Sequence, residues 1–270
     1  SMYLNIPPAD MFIDRHIGLD GDEINAMLIT LGLKSLEDLV QKTIPAEILD
    51  DTPLNIGVAA DELNTIKSLR SIAGKNKVTR SYIGMGYTGT ITPSVILRNI
   101  LENPGWYTQY TPYQAEISQG RLETLLNFQT MVCDMTGMEI ANASLLDEAT
   151  AAAEAMAMIT HLNPKRNVFY VSQCCHPQTI DVLKTRAEPM RIELVITHER
   201  DFEFNEDTLG VLIQYPATDG RIADYSKLCN RAHENGLLVA VAADILSLAL
   251  LNPPGEWGAD IVVGSAQRFG

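Results

Sequence analysis

The spacing of apolar residues changes character along the chain. From about residue 20 to residue 72 they recur at helical intervals. Ile24, Met27, Leu28 and Leu31 share one face, with Asp20 or Asp22 placed to cap the helix and Gly32 to stop it. Leu36, Leu39 and Val40 follow Ser35 in the same way, and Pro45 closes that zone. A third helix is predicted from Asp61 to Ile72, carrying Leu63, Ile66 and Leu69. Residues 76–120 are irregular and glycine-rich, apart from a helix that Thr92-Pro93 opens and that runs through Leu97, Ile100 and Leu101. Beyond Gly137 the pattern alternates. Helices are predicted from Ala149 to Ile159, Pro177 to Ala187 and Tyr225 to Asn235. Between and after them lie short apolar runs: Asn167 to Ser172, Ile192 to Ile196, Leu209 to Gln214, Leu237 to Ala243 and Ile261 to Gly264. Strands that are apolar without alternation are covered on both faces, so the prediction is α/β, with a mostly parallel sheet between helix layers. Three regions follow: a helical region at 1–75, a loop and interface-helix region at 76–136, and the α/β domain at 137–270.

The stretch from Pro104 to Met131 joins two patterns. Its first half places Trp106, Tyr107, Tyr110 and Tyr113 within eight residues, with Pro112 among them, and reads as a loop. Its second half puts Leu122, Leu125, Leu126 and Gln129 on one helix face, with Ser118 as the cap. Such a loop can wall a pocket or simply pack its own rings.

Charge and composition remove several function classes. A formal charge of −14 opposes binding to nucleic acid or an anionic membrane. No apolar run approaches the roughly 20 residues of a membrane span. No basic leader with an apolar stretch opens the chain, so no signal peptide is expected, and Ser1-Met2 reads as a tag remnant. Cys133, Cys174, Cys175 and Cys229 lack C-x-x-C spacing and read as reduced thiols in a reducing compartment. No metal site is expected. GMGYTG at 84–89 lacks the terminal Lys-Ser/Thr of a phosphate loop and its βαβ setting. His16, in DRHIG, reads as a structural histidine.

Some runs are specific enough to identify a family. SYIGMGY from Ser81, TQYTPYQAEISQGRLETLLNFQTMV from Thr108 and ANASLLDEATAAAEA from Ala141 resemble the P-proteins of the glycine cleavage system, the pyridoxal-phosphate glycine decarboxylases. The resemblance extends from DRHIG at Asp14 to PPGEWGADIVVGSAQRFG at the end. It implies the aspartate-aminotransferase-like large domain (pyridoxal-phosphate fold type I). It also places the chain in the N-terminal half, an alpha subunit where the enzyme is split. In the whole enzyme glycine is decarboxylated on pyridoxal phosphate, and the aminomethyl group passes to the lipoyl arm of H-protein. The implied partners are the cofactor-binding half, lipoylated H-protein and glycine, with a dimeric assembly. The implied location is the bacterial cytoplasm, or the mitochondrial matrix in a eukaryote.

The resemblance also implies which positions would carry chemistry. In the family's catalytic half a lysine follows a histidine shortly after a strand; Gln267 and Arg268 stand at that place, and either is the match. A Ser-Gly-Ala-Gln type turn for the phosphate corresponds to Asp147-Glu148-Ala149-Thr150, where two carboxylates suit the helix dipole and repel a phosphate. Asp244 matches the acid for the ring nitrogen and His176 the stacking residue, and both read as inherited positions. No cofactor is expected on this chain and no residue is assigned as catalytic. Tyr110, Thr111, Tyr113 and Glu116 are the candidate wall of the partner's pocket. Two functions fit: half of a glycine decarboxylase that lends a pocket wall, or a scaffold that only stabilises the other half. Stopping at Gly270, just after an apolar strand, makes a fragment the expectation.

Overall fold

The computed structural model describes residues 12–16, 18–107 and 115–269; of residues 14, 15 and 115–120 only the backbone is described. The chain divides into two compact units, Ser1–Arg80 and Ser81–Gly270.

The first unit is helical. After α1 (Phe12–His16), α2 spans Gly21–Leu31. Asp20, not Asp22, is its cap: the Asp20 carboxylate accepts from the Asp22 and Glu23 amides, and Glu23 accepts from the Asp20 amide. Gly32 closes the helix with φ +67°. Ser35 caps α3 (Leu36–Thr43) and Asp61 caps α4 (Glu62–Ala73), each through the amide three residues on. Leu63, Ile66 and Leu69 do share a face of α4, and all three are exposed. His16 is exposed and stacks on Phe12 at 4.9 Å.

The second unit opens with a tight turn. Tyr87 N donates to Gly84 O at 2.9 Å, and Met85 and Gly86 both have positive φ. GMGYTG is thus a hairpin-like turn and not a phosphate loop. α5 (Ser94–Ile96) runs into a π turn over Leu97–Leu101, closed by Glu102 N donating to Leu97 O at 2.9 Å. Pro104–Tyr107 is a helical turn, α6, rather than loop: Asn103 Oδ1 accepts from the Gly105 amide, and Pro104 sits where a helix needs no N–H. α7 then spans Ala115–Thr136. Ser118 is therefore inside the first turn and is not the cap.

α8 (Glu148–Leu162) begins the α/β layers. It is followed by β1 (Val168–Ser172), α9 (Pro177–Met190), β2 (Glu193–Thr197), β3 (Thr208–Tyr215), α10 (Ser226–Glu234), β4 (Leu238–Ala243) and β5 (Ile261–Val263). All pairings are parallel, in the order β2-β1-β3-β4-β5. Central β3 is buried along its whole length, while edge strand β2 is only partly covered. Each strand feeds two cores. Phe169, Val171 and Leu212 pack with Met156, Ile159 and Leu183 on one face. Tyr170, Val211 and Ile213 pack with Cys229 and Ala232 on the other. α8 lies so close to β3 that a Cβ at Gly210 would fall 3.1 Å from Ile159 and 2.6 Å from Leu238 O. All four cysteines are free, and burial raises the Cys175 and Cys229 thiols, the latter to about 12. No described helix is long and apolar enough to cross a membrane.

Candidate functional site

Parallel strands end together, and the segments leaving their carboxyl ends enclose a crevice, the usual place for a ligand in such sheets. Here that crevice is a cleft of about 290 Å³ lined by the Gly84–Gly86 turn, Glu148, His176, Gln214, Thr218, Asp244, Gln267 and Arg268, among others. Five of the six residues singled out at inherited cofactor positions, Glu148, His176, Asp244, Gln267 and Arg268, thus meet across one cleft, while Asp147 lies at the helix start next to Glu148.

Asp244 follows β4 directly. Its Oδ1 accepts from the Leu246 amide at 3.1 Å and from Arg268 Nε at 3.1 Å, and its Oδ2 accepts from Arg268 Nη2 at 2.6 Å. The pair is bidentate, the strongest geometry available to a guanidinium and a carboxylate. It pushes the Arg268 guanidinium further above its ordinary value. Arg268 Nη1 also donates to Thr88 Oγ1, and Gln267 Nε2 donates to Thr88 O at 2.7 Å. Gln267 and Arg268 are therefore both tied to Thr88, just after the glycine turn.

His176 stands just before the first residue of α9, without a side-chain hydrogen bond to the helix start, and is buried. Its Nδ1 is 2.9 Å from Thr218 Oγ1. Burial lowers its pKa, so the ring is held neutral. The glycine turn comes against this ring: at Gly86, φ is +82° and a Cβ would lie 3.3 Å from His176 Nε2. Gln178 Nε2 fixes the same turn by donating to Met85 O at 2.7 Å.

At the start of α8 two neighbouring carboxylates differ. Asp147 is exposed and accepts from the Thr150 amide at 2.7 Å, which holds its carboxyl below the ordinary range. Glu148 is half-buried and turns inward, accepting from Gln214 Nε2 at 3.2 Å. Burial raises its carboxyl, with Asp244 and Asp147 adding to the rise.

Pyridoxal phosphate does not fit these residues. The amide that would meet a phosphate is engaged by Asp147, and Glu148 adds a second anionic group. The acid that would meet the ring nitrogen is already neutralised by Arg268. No lysine lines the cleft among the described residues, and Lys227 is exposed on α10. Tyr110, Thr111 and Tyr113 lie outside the described residues, and Glu116 is described only through the backbone of α7.

Several supporting residues were not singled out in the sequence. Glu199 is buried, bonded to Ser172 Oγ and 3.0 Å from His198 Nδ1, with Arg221 Nη2 at 3.8 Å. Arg221 also donates to Cys174 Sγ at 3.0 Å. This network fastens the loop that carries Thr218, whose amide donates to Cys174 O. Gln214 left a signal: it is the one polar side chain in the run LGVLIQ.

The chain is similar in sequence and fold to known proteins. Glycine dehydrogenase (decarboxylating) of Synechocystis sp. is 58% identical over 266 residues, which cover 98% of this chain and 27% of that protein. The mitochondrial glycine dehydrogenase (decarboxylating) of Dictyostelium discoideum is 56% identical, over 97% of this chain and 28% of its own length. The chain thus spans about a quarter of the length of these relatives. A crystal structure of glycine decarboxylase (P-protein) of the glycine cleavage system, in inhibitor-bound form, superposes with a TM-score of 0.81 at 34% identity, covering 92% of this chain and 57% of that one. The family profile of the glycine cleavage system P-protein matches residues 14–270, and the chain belongs to that family.

Proposed function

We propose that this chain belongs to the half of a glycine dehydrogenase (decarboxylating) that does not hold the cofactor. It keeps the fold of a cofactor-binding unit and pairs with a half that carries pyridoxal phosphate, glycine and the encounter with lipoylated H-protein. The observation that carries this reading is Arg268, one of the two residues matched to the lysine place, which closes bidentately on Asp244. Identity near 58% to glycine dehydrogenases supports the assignment of the complete activity to the longer protein.

An absorbance titration of the purified chain with pyridoxal phosphate tests it. No imine band is expected. A band that borohydride fixes to a single lysine would overturn the reading. The role of Tyr110 and Tyr113 as a wall of the partner's pocket rests on the sequence and needs the complete enzyme. Tyr110→Phe and Tyr113→Phe should each cost roughly 1–3 kcal/mol in transition-state stabilisation, the size of one lost buried hydrogen bond, with little change in stability. Wild-type glycine–carbon dioxide exchange in both variants would leave this chain a pairing role alone.

A further inference from the structure

We propose that the cleft is a binding site for a small primary ammonium ligand, whose N–H groups donate to Gln214 Oε1 and to the Glu148 carboxylate. The proposal rests on the reading that the cleft does not hold pyridoxal phosphate.

The starting point is an unmet acceptor. Gln214 is 1% exposed and lines the cleft near the end of β3. Its Nε2 faces Glu148, which fixes the amide orientation, and its Oε1 is buried with no hydrogen-bond partner among the described residues. A buried carbonyl oxygen without a donor is costly, and native structures supply one. The missing component is therefore a donor arriving from the cleft.

Charge sets the sign of that donor. Asp244 is neutralised by Arg268, and His176 is held neutral by burial. Glu148 remains as the carboxylate that no described cation pairs with. An anion would meet Glu148 and neighbouring Asp147 with like charge. A cation offering N–H donors satisfies both open requirements at once: charge for Glu148 and a donor for Gln214. A metal ion is less suited, since the described residues contain no group of three or more His, Cys, Asp or Glu side chains able to hold one. The volume of about 290 Å³ limits the ligand to a small molecule. Two sources share this chemistry, a simple amine and the ammonium end of an amino acid.

Calorimetric titration of the full chain at neutral pH separates them. Methylammonium chloride should bind saturably, and potassium chloride and sodium acetate should not. Glycine binding as well as methylammonium identifies an amino acid as the source; methylammonium binding without glycine identifies a simple amine. Glu148→Gln keeps the acceptor for Gln214 and removes the charge, and should weaken methylammonium binding roughly tenfold or more. Asp147→Asn, one residue away and outside the cleft lining, should weaken it far less than Glu148→Gln does. Absence of saturable binding by both ammonium probes overturns the proposal, because water then satisfies Gln214. Equal binding of potassium, or binding indifferent to Glu148→Gln, overturns it too. A parallel titration with pyridoxal phosphate distinguishes the two failures: a lysine-fixed imine band sinks the cofactor-free reading, whereas silent ammonium probes without that band sink only this inference.

Discussion

Two sets of polar side chains line the cleft and differ in how they are satisfied. At one end Arg268 and Asp244 meet bidentately, and Thr88 takes the remaining reach of the guanidinium. At the other end Glu148 meets only an amide, and that amide's own oxygen is left over. The first end is closed because the side chain at the lysine place brought a charge opposite to its neighbour. The second stays open because the side chains at the phosphate place brought the same charge twice. Charge sign at each position, more than the shape the fold provides, decides what the cleft admits.

The largest expected effect comes from breaking the closed end. Arg268→Met removes the cation and leaves Asp244 partly buried with the Leu246 amide as its remaining donor. The expected loss of folding stability is about 2–3 kcal/mol, read by urea denaturation. Adding Asp244→Asn should return part of it, since the uncompensated charge is then gone. Additive losses in the double variant would show that the pair contributes by packing and not by charge.

A smaller effect is expected where the glycine turn meets the ring between the two ends. Gly86→Ala places a side chain at φ +82° and 3.3 Å from His176. The left-handed backbone alone costs about 1–2 kcal/mol. The His176 ring must also give by a few tenths of an ångström, so its proton resonances should shift on substitution. An unchanged melting temperature would mean that the turn is free to move away from the ring.

Much of the scaffold around these ends was legible in the sequence. The five strands fall within about one residue of the apolar runs that predicted them, because each is a short apolar run set off by turn residues. The cap of α3 was readable from Ser35 and that of α2 narrowed to Asp20 or Asp22, since a cap acts on an amide two or three residues away, whereas Asp61 was read as the first helical residue and proves to be the cap of α4. The start of α7 was not readable: its described part already includes Ala115, three residues before the serine that looked like its cap. The positions of His176, Asp244, Arg268 and Glu148 followed from the family resemblance. Their partners did not. Arg268 finds Asp244 across 24 residues and Thr88 across 180, and Glu148 finds Gln214 across 66. Pairings at such separations are set by strand order, which no local pattern encodes.

The smallest effect sharpens the comparison to two adjacent residues. Asp147 and Glu148 share a helix start but should respond to pH with opposite sign. The Asp147 carboxyl is held below its unfolded value of 3.8 by the hydrogen bonds from Thr150. Its contribution to stability is present above that value and is lost as pH falls through the lower, folded one. The Glu148 carboxyl is raised above its unfolded value of 4.5, mainly by burial. Ionising it is harder in the folded chain, so its contribution is favourable in acid and is lost as pH rises from 4.5 through the raised value. Asp147→Asn should therefore be less stable than wild type at neutral pH, by less than the roughly 1 kcal/mol of a whole cap because asparagine also caps. That deficit should vanish in acid. Glu148→Gln should match wild type in acid and gain on it as pH rises past 4.5, levelling off above the raised folded value. Difference curves of unfolding free energy against pH for the two variants should thus diverge from a common acid limit, one downward and one upward. Parallel curves would mean that Glu148 is solvated like its neighbour, and the open end of the cleft would lose the uncompensated charge that sets it apart from the closed one.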